Sequence, residues 1–66
     1  MHVGDKLTAI NECTMNHDGR PTLTKGRVYQ VVDIDEVNMD FCVIDDEGDR
    51  HWFPIAESEM YFTKNQ

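Results

Sequence analysis

Basic residues are scarce in this sequence of 66 residues. Lys and Arg together number 6, against 13 Asp and Glu, which gives a formal net charge of −7. A protein that binds duplex nucleic acid must neutralise phosphates with Lys and Arg side chains. The shortage of these residues argues against ordinary duplex binding, and we expect none.

Cysteine and long hydrophobic runs are also in short supply. The two cysteines, Cys13 and Cys42, are too few for the disulfide framework of a small secreted domain. No apolar run approaches the ~20 residues that a membrane-spanning helix requires. Residues 1–5 also lack the basic and apolar regions of a signal peptide. We therefore expect two free thiols in a cytoplasmic protein that does not bind membranes.

The hydrophobic content is nevertheless high enough for a folded domain, at 39%. A chain of this length buries only ~60% of its unfolded surface, which leaves one small core. The sequence therefore predicts a single domain over residues 1–66, with little room for a deep catalytic pocket. We expect a protein that is not an enzyme and that binds no cofactor.

The acidic residues are concentrated in one segment. In residues 1–32, three acids stand against four bases and give a net charge of +1, whereas residues 33–66 hold ten acids and two bases, which gives −8. Residues 33–49 alone contain eight acids and no base. Such repulsion is tolerated when the carboxylates are solvated, bind a cation or face a basic partner.

The hydrophobic spacing is typical of β-strands, because no helical stripe persists for three turns. Strands are predicted over 6–11, 27–34, 41–45, 50–53 and 61–64, with a long polar loop over 12–22 and a helical or 3-10 turn within 55–60. Gly48 lies in the tight loop 46–49, at a position that requires positive φ. The pattern predicts an all-β fold, a single small five-stranded SH3-like barrel with a short 3-10 turn before the last strand. The alternative, an OB-like barrel, usually has a helix between the third and fourth strands, and no segment is available for it.

Two stretches resemble a known family. Residues 23–31, LTKGRVYQV, are similar to the L-T-x-G-x-x-Y-x-V turn and strand of SH3-like proteins, and residues 40–53, DFCVIDDEGDRHWF, resemble the aromatic hairpin of small SH3-like proteins of phages and prophages (YorP-like). The resemblance covers residues 23–62. It implies a five-stranded barrel and a phage or prophage setting, but no catalytic or binding residues. The first strand lacks the tyrosines with which eukaryotic SH3 domains bind proline-rich peptides.

A few residues are of the types that metal binding and nucleophilic catalysis require. Cys13, His17, Cys42 and His51 include the ligand types of tetrahedral zinc, but their spacing fits no standard finger or ribbon. An EF-hand needs Gly at its sixth position and Glu at its twelfth, and neither of the acidic clusters at 33–35 and 45–49 supplies both. Cys42, His51 and Asp45 could form a nucleophile with its base, but catalysis also needs an oxyanion hole and a closed pocket. We expect no metal site and no catalytic site.

The candidate residues for protein interaction are aromatic and acidic. Alternation places Trp52 and Phe53 on opposite faces of a strand, so both cannot enter one small core. Trp is enriched among the residues that dominate binding energy at protein interfaces, although an exposed Trp can also simply pair across its strand. The full candidate set is Trp52, Tyr29, Tyr61, Asp45, Asp46, Glu47 and Asp49.

These observations predict a non-enzymatic phage- or prophage-type SH3-like protein-interaction module. Its partner would be a protein with a basic surface, bound through strand edges, Trp52 and the acidic hairpin, and homodimerisation is a second expectation. The alternative function is an acidic mimic of nucleic acid, in which segment 33–49 inhibits a host DNA-processing or defence enzyme. Mimicry requires carboxylates spaced along one face, whereas a solvated hairpin requires no such arrangement.

Overall fold

The computed structural model describes residues 1–12 and 22–64, which form five strands and one short helical segment. The strands are β1 (Lys6–Ala9), β2 (Val28–Asp35), β3 (Asp40–Ile44), β4 (Arg50–Pro54) and β5 (Phe62–Lys64). Between β4 and β5 lie a 3-10 turn, Ile55–Glu57, and the one-turn helix α1, Ser58–Tyr61. The prediction of an all-β fold with a 3-10 turn before the last strand is confirmed.

All neighbouring strands are antiparallel, in the order β4-β3-β2-β1-β5. The long strand β2 pairs with two other strands. Its first half pairs with β1 and its second half with β3. A register shift between Val31 and Asp33 lies near the junction of these two halves, within the part that pairs with β3. Bulges of this kind bend a strand and increase its twist, which lets one strand belong to two differently oriented parts of a sheet.

The core consists of aliphatic and aromatic side chains that alternate along the strands. Its buried members are Leu7, Ala9, Leu23, Tyr29, Val31, Phe41, Val43, Phe53 and Phe62. Phe53 lies between Phe41 and Phe62, with ring centroids 5.6 and 5.5 Å away. Aromatic pairs at these separations contribute about 0.5–1.5 kcal/mol each beyond the area that they bury. The side chains on the inner face of β2, β3 and β4 therefore pack in the core.

The predicted strand positions agree with the structure to within two residues. The first strand ends at Ala9 instead of residue 11, although the N–H of Ile10 still donates to the carbonyl of Tyr61. Tyr61 ends α1 instead of beginning β5. Gly48 has a φ of +84°, which confirms the positive φ predicted for the 46–49 loop. Most of the predicted 12–22 loop, residues 13–21, lies outside the described residues.

Candidate protein-interaction site

The outer face of strands β3 and β4 carries an exposed tryptophan. Trp52 pairs with Cys42 across the two strands, whereas Phe53 pairs with Phe41 on the core side. The side chain of Phe53 is 2% exposed and that of Trp52 is 42% exposed, as the alternation in the sequence predicts. Ile44 lies diagonally from Trp52 on the same face and is 41% exposed. We call the surface formed by Asp33, Cys42, Ile44, Arg50 and Trp52 the outer face.

Trp52 also has a local structural role on this face. Its strand partner Cys42 is fully buried, although the two neighbours of Cys42 on β3 point into the core. Cys42 therefore lies on the outer side of the sheet beneath other side chains, and Trp52 is its directly opposed neighbour. Burial raises the pKa of the Cys42 thiol and outweighs the opposite effect of the His51 backbone N–H. The thiol is protonated at neutral pH, unlike the low-pKa thiols of reactive cysteines.

An ion pair lies beside Trp52. The Arg50 guanidinium is 3.3 Å from the Asp33 carboxylate, so it spans β3 at the level of Cys42. Both side chains are about half exposed or more, and such surface pairs contribute little to stability because water and salt screen them. The pair does, however, fix where a positive and a negative group lie on the outer face.

Asp46 points inward from the acidic hairpin instead of towards solvent. Its carboxylate accepts hydrogen bonds from the hydroxyls of Thr24 and Tyr29, each at 2.6 Å, and from the Arg27 guanidinium at 3.0 Å. The Tyr29 hydroxyl in turn accepts the Thr24 N–H at 2.8 Å. We call Asp46, Thr24, Arg27 and Tyr29 the Asp46 network. It attaches the β3–β4 loop to the turn that precedes β2.

The network changes the acidity of two of its members. Burial acts to raise the pKa of Asp46, but the hydrogen bonds from Thr24 and Tyr29 and the charge of Arg27 outweigh it, so the pKa is lowered. The pKa of Tyr29 is raised, first by burial and then by its hydrogen bond to Asp46. Both shifts favour the same pair of protonation states, an ionised carboxylate and a neutral phenol.

Asp45 also acts within the chain. One carboxylate oxygen accepts the backbone N–H groups of Glu47 and Asp49, at 2.9 and 3.0 Å, which closes the loop around Gly48. The other oxygen is 3.5 Å from Nδ1 of His51, and the Asp45 side chain is only 5% exposed. Of the four acidic candidates, Asp45 and Asp46 are thus structural, and only Glu47 and Asp49 present their side chains to solvent.

The two tyrosine candidates lie on the core side, away from Trp52. Tyr29 is 5% exposed, and its ring contacts Phe62 with a centroid distance of 6.1 Å. Tyr61 is half-buried and its ring centroid is 5.2 Å from that of Phe53. The candidate set therefore divides. Trp52 shares an exposed surface with Ile44, whereas Glu47 and Asp49 are exposed in the β3–β4 loop.

The eight acids of segment 33–49 do not form one array. Asp33 pairs with Arg50, Asp35 caps the β2–β3 turn, and Asp45 and Asp46 are used as described above. The others are Glu36 and Asp40 near the β2–β3 turn and Glu47 and Asp49 in the β3–β4 loop. These two pairs lie at opposite ends of β3, which at ~3.3 Å per residue separates them by more than 10 Å.

A zinc site or a nucleophile with its base would each require Cys42 and His51 to lie close together. Cys42 lies on the outer face, whereas His51 lies on the core side, with its ring stacked on Phe53 at a centroid distance of 4.6 Å. The two side chains therefore diverge, and only the His51–Asp45 half of the nucleophile arrangement is present. Cys13 and His17 lie outside the described residues, within which no three His, Cys, Asp or Glu side chains are placed to hold a metal.

The chain was compared with protein families, curated proteins and solved structures. No protein-family model, curated protein or solved structure matches this chain. No helix in the described ranges has the length and hydrophobicity needed to span a bilayer.

The Asp46 network and the exposure of Ile44 were not anticipated from the sequence. Asp46 and Tyr29 are 17 positions apart, so no local spacing indicates their hydrogen bond. The exposure of Ile44 could have been predicted from the sequence. If Phe41 and Val43 point into the core, alternation along the strand places residue 44 on the outer side. An apolar residue predicted on the same face as Trp52 would have extended the candidate patch.

Proposed function

We propose that this protein is a non-enzymatic protein-interaction module that binds its partner through the outer face of β3 and β4. The observation that carries the proposal is the exposure of Trp52 in the middle of β4, with Ile44 exposed beside it. Contiguous exposed apolar patches mark interaction sites, and Trp is among the residues enriched at the energetic centres of interfaces.

The fold that we propose for this module is an SH3-like barrel. Three features support it: five antiparallel strands, a 3-10 turn before the last strand, and the bulged strand β2 shared between β1 and β3. The resemblance of residues 23–62 to small SH3-like proteins of phages and prophages agrees with this topology. The phage or prophage setting and the bacterial cytoplasm are part of the proposal on the strength of that resemblance alone.

The exposed charges of the β3–β4 loop indicate the chemistry of the partner. Glu47 and Asp49 lie in the loop that leads into β4, and both are exposed. A partner that matches this surface has an apolar contact for Trp52 and Ile44, with Lys or Arg placed opposite the two carboxylates. Rim charges of this kind mainly accelerate association and make it sensitive to salt.

The nucleic-acid-mimic alternative gains no specific support. Four of the eight acids are engaged within the chain, and the other four lie in two groups at opposite ends of β3. A phosphate-like row requires regular spacing along one face. We therefore retain only the protein-interaction function.

The proposal is tested by affinity capture from a bacterial host lysate at low and moderate salt. The test variants are Ile44→Thr and the double variant Glu47→Gln with Asp49→Asn, which change the exposed groups and leave the Asp46 network intact. The matched control is Val28→Thr, because Val28 is 48% exposed on β2, two strands away from β4.

Each outcome of the capture experiment is informative. We expect a protein that is retained by the wild type and by Val28→Thr, reduced by Ile44→Thr, and less salt-sensitive with the double variant. Sedimentation of the same proteins shows whether the captured partner is a second copy of the chain. Identical capture by all variants would refute binding through the outer face.

A further inference from the structure

The free edge of β4 is a further place where a chain can bind. β4 stands at the end of the strand order, so β3 is its only neighbour among the described strands. The N–H and C=O groups along an antiparallel strand point alternately towards the paired strand and away from it. Groups that point away at an edge are unpaired and form a template for one more strand.

The alternation along β4 is established by hydrogen bonds at both of its ends. Beyond its last residue, the N–H of Ile55 donates to the carbonyl of Met39, and before its first residue the carbonyl of Asp49 accepts the N–H of Asp45. The β3–β4 register is regular over the whole strand. The odd-numbered residues from 49 to 55 therefore face β3, and the even-numbered residues face the free edge.

Two residues of β4 offer complete pairs of backbone groups at this edge. Arg50 and Trp52 each present an N–H and a C=O, whereas Pro54 has no N–H and ends the stretch that can pair. At the other end, Gly48 has a positive φ and turns the chain into the β3–β4 loop. The edge therefore accepts a strand that is equally short and is bounded on both sides.

A second copy of β4 meets this requirement when it runs antiparallel. With Arg50 opposite Trp52 of the other copy, each such pair exchanges two hydrogen bonds, and the two-fold symmetry provides the pair twice. His51 then lies opposite His51 of the other copy, and Pro54 lies opposite Gly48, which has no side chain. A longer strand from another protein would instead run past Trp52 to Pro54, where no donor is available.

The side chains on the outer face are complementary in the same register. The Arg50 side chain is 61% exposed and Trp52 is 42% exposed, so both have surface to bury. The guanidinium of Arg50 stays beside Asp33, and the indole ring of the other copy covers the alkyl stem of Arg50. The positive charge also attracts the face of the indole ring. The symmetry provides this contact twice, so β4 is complementary to itself.

The net charge opposes the pairing and gives it a distinctive salt dependence. Each chain carries −7, and pairing brings Glu47 and Asp49 of one copy towards Glu57, which follows β4, of the other. Salt screens this repulsion. The dimer therefore becomes tighter as salt is added, whereas a complex with a basic partner becomes weaker.

We propose that two copies of this chain pair through the free edges of β4 and form a closed, two-fold symmetric dimer with Arg50 opposite Trp52 of the other copy. The joined sheet has the strand order β3-β4-β4-β3 at its centre. Trp52 and Ile44 of both copies lie on one side of it, so the dimer carries two outer faces side by side. The proposal goes beyond the function proposed for the outer face and does not depend on it.

The association is tested by sedimentation equilibrium over a wide range of protein concentrations, at low and moderate salt. We expect the mass to rise from one chain to two and no further, because each copy uses its β4 edge once and the symmetry closes. We also expect the dissociation constant to fall as salt is added. A single chain at every concentration, growth beyond two chains, or dissociation by added salt would overturn the proposal.

The register is tested by NMR on a mixture of carbon-13-labelled and unlabelled chains. In the proposed register, the two copies of His51 form a pair without hydrogen bonds between them, and such pairs bring their α-carbons closest together. We expect an intermolecular nuclear Overhauser effect between the α-protons of His51 in the two copies. Intermolecular effects between other strands, or between other residues of β4 only, would contradict this register.

A change of one backbone atom separates pairing from folding. In a synthetic chain with an ester in place of the amide of Trp52, the N–H is lost and every side chain is kept. Because both copies lose a hydrogen bond to the carbonyl of Arg50, we expect the dissociation constant to rise about tenfold or more. The urea midpoint at a concentration where the chain is a single copy should not change, since this N–H has no partner within the chain.

The matched control is the same ester at Lys64 in β5, the strand at the other end of the order. Ile10 donates its N–H to the carbonyl of Tyr61, so the alternation along β5 directs the N–H of Lys64 away from β1. The Lys64 ester and the variant Ile44→Thr are expected to dimerise as the wild type does. Wild-type dimerisation of the Trp52 ester, or loss of the dimer in the Lys64 ester, would refute pairing through β4.

Discussion

At the scale of single residues, two adjacent acids of the same hairpin have different roles. Asp46 is turned inward and accepts three side-chain hydrogen bonds, whereas the neighbouring Glu47 is exposed and forms no such network. In the amino-acid composition, Asp46 and Glu47 each contribute one negative charge. Only the structure shows that one belongs to the fold and the other is available to a partner.

The pair offers a matched stability test. Asp46→Asn removes the charge that accepts bonds from Thr24, Tyr29 and Arg27, so we expect the free energy of unfolding to fall by about 1.5–3 kcal/mol. Glu47→Gln removes the same charge at an exposed position and is expected to stay within about 0.5 kcal/mol of wild type. Urea denaturation of both variants checks this. Equal losses would show that the network does not stabilise the hairpin.

The pH dependence of stability follows from the lowered pKa of Asp46. Its contribution is fully present above the unfolded value of ~3.9 and is lost as the pH falls through the lower folded pKa. We therefore expect the stability difference between wild type and Asp46→Asn to shrink as the pH is reduced from 7 towards 2. Denaturation curves at several pH values measure it, and a difference that stays constant or grows would contradict this account.

The buried thiol gives a third prediction at this scale. Cys42 is fully buried with a raised pKa, so in a Cys13→Ser background we expect a disulfide reagent to label it slowly. Trp52→Ala is expected to accelerate labelling, since Trp52 lies directly opposite Cys42, whereas Ile44→Ala is the control on the same face. Labelling rates are compared with the stability of each variant. A rate increase no larger than the loss of stability explains would show that Trp52 does not cover the thiol.

At the scale of elements, the strands were predictable and the interactions between distant elements were not. Alternating apolar residues around Val28–Asp35 and Arg50–Pro54 determine strand type and facing, so the sequence predicted that Trp52 and Phe53 face opposite sides. The roles of Asp46 and Tyr29 depend on the approach of two loops far apart in sequence. The positive φ of Met39 could not be predicted from the sequence either, because the neighbouring Asn38 is of a residue type that adopts this conformation more readily.

The β3–β4 loop gives a prediction about one element. Gly48 has a φ of +84°, and a Cβ added there meets nothing within 4 Å, so only the backbone conformation opposes a side chain. Gly48→Ala should reduce the free energy of unfolding by about 1–2 kcal/mol. Glu47→Ala in the same loop, with its backbone bond to Asp45 retained, is the control. Thermal unfolding of the two variants measures the effect, and an unchanged Gly48→Ala protein would show that the loop adopts another conformation.

At the scale of the whole molecule, the net charge of −7 does not describe one surface. Part of it lies within the fold at Asp45 and Asp46, part in the β2–β3 turn, and part in the β3–β4 loop at Glu47 and Asp49. The central claim concerns the outer face, which carries Trp52 and Ile44.

The most direct measurement is the dissociation constant of the purified captured partner for the chain, determined by calorimetric titration at low and moderate salt. We expect Ile44→Thr combined with Trp52→Thr to weaken binding by about 30-fold or more, as loss of a residue worth at least ~2 kcal/mol implies. Val28→Thr should bind as the wild type does, and Glu47→Gln with Asp49→Asn should reduce the salt dependence. Equal dissociation constants for the wild type and for the folded Ile44→Thr, Trp52→Thr protein would contradict the account.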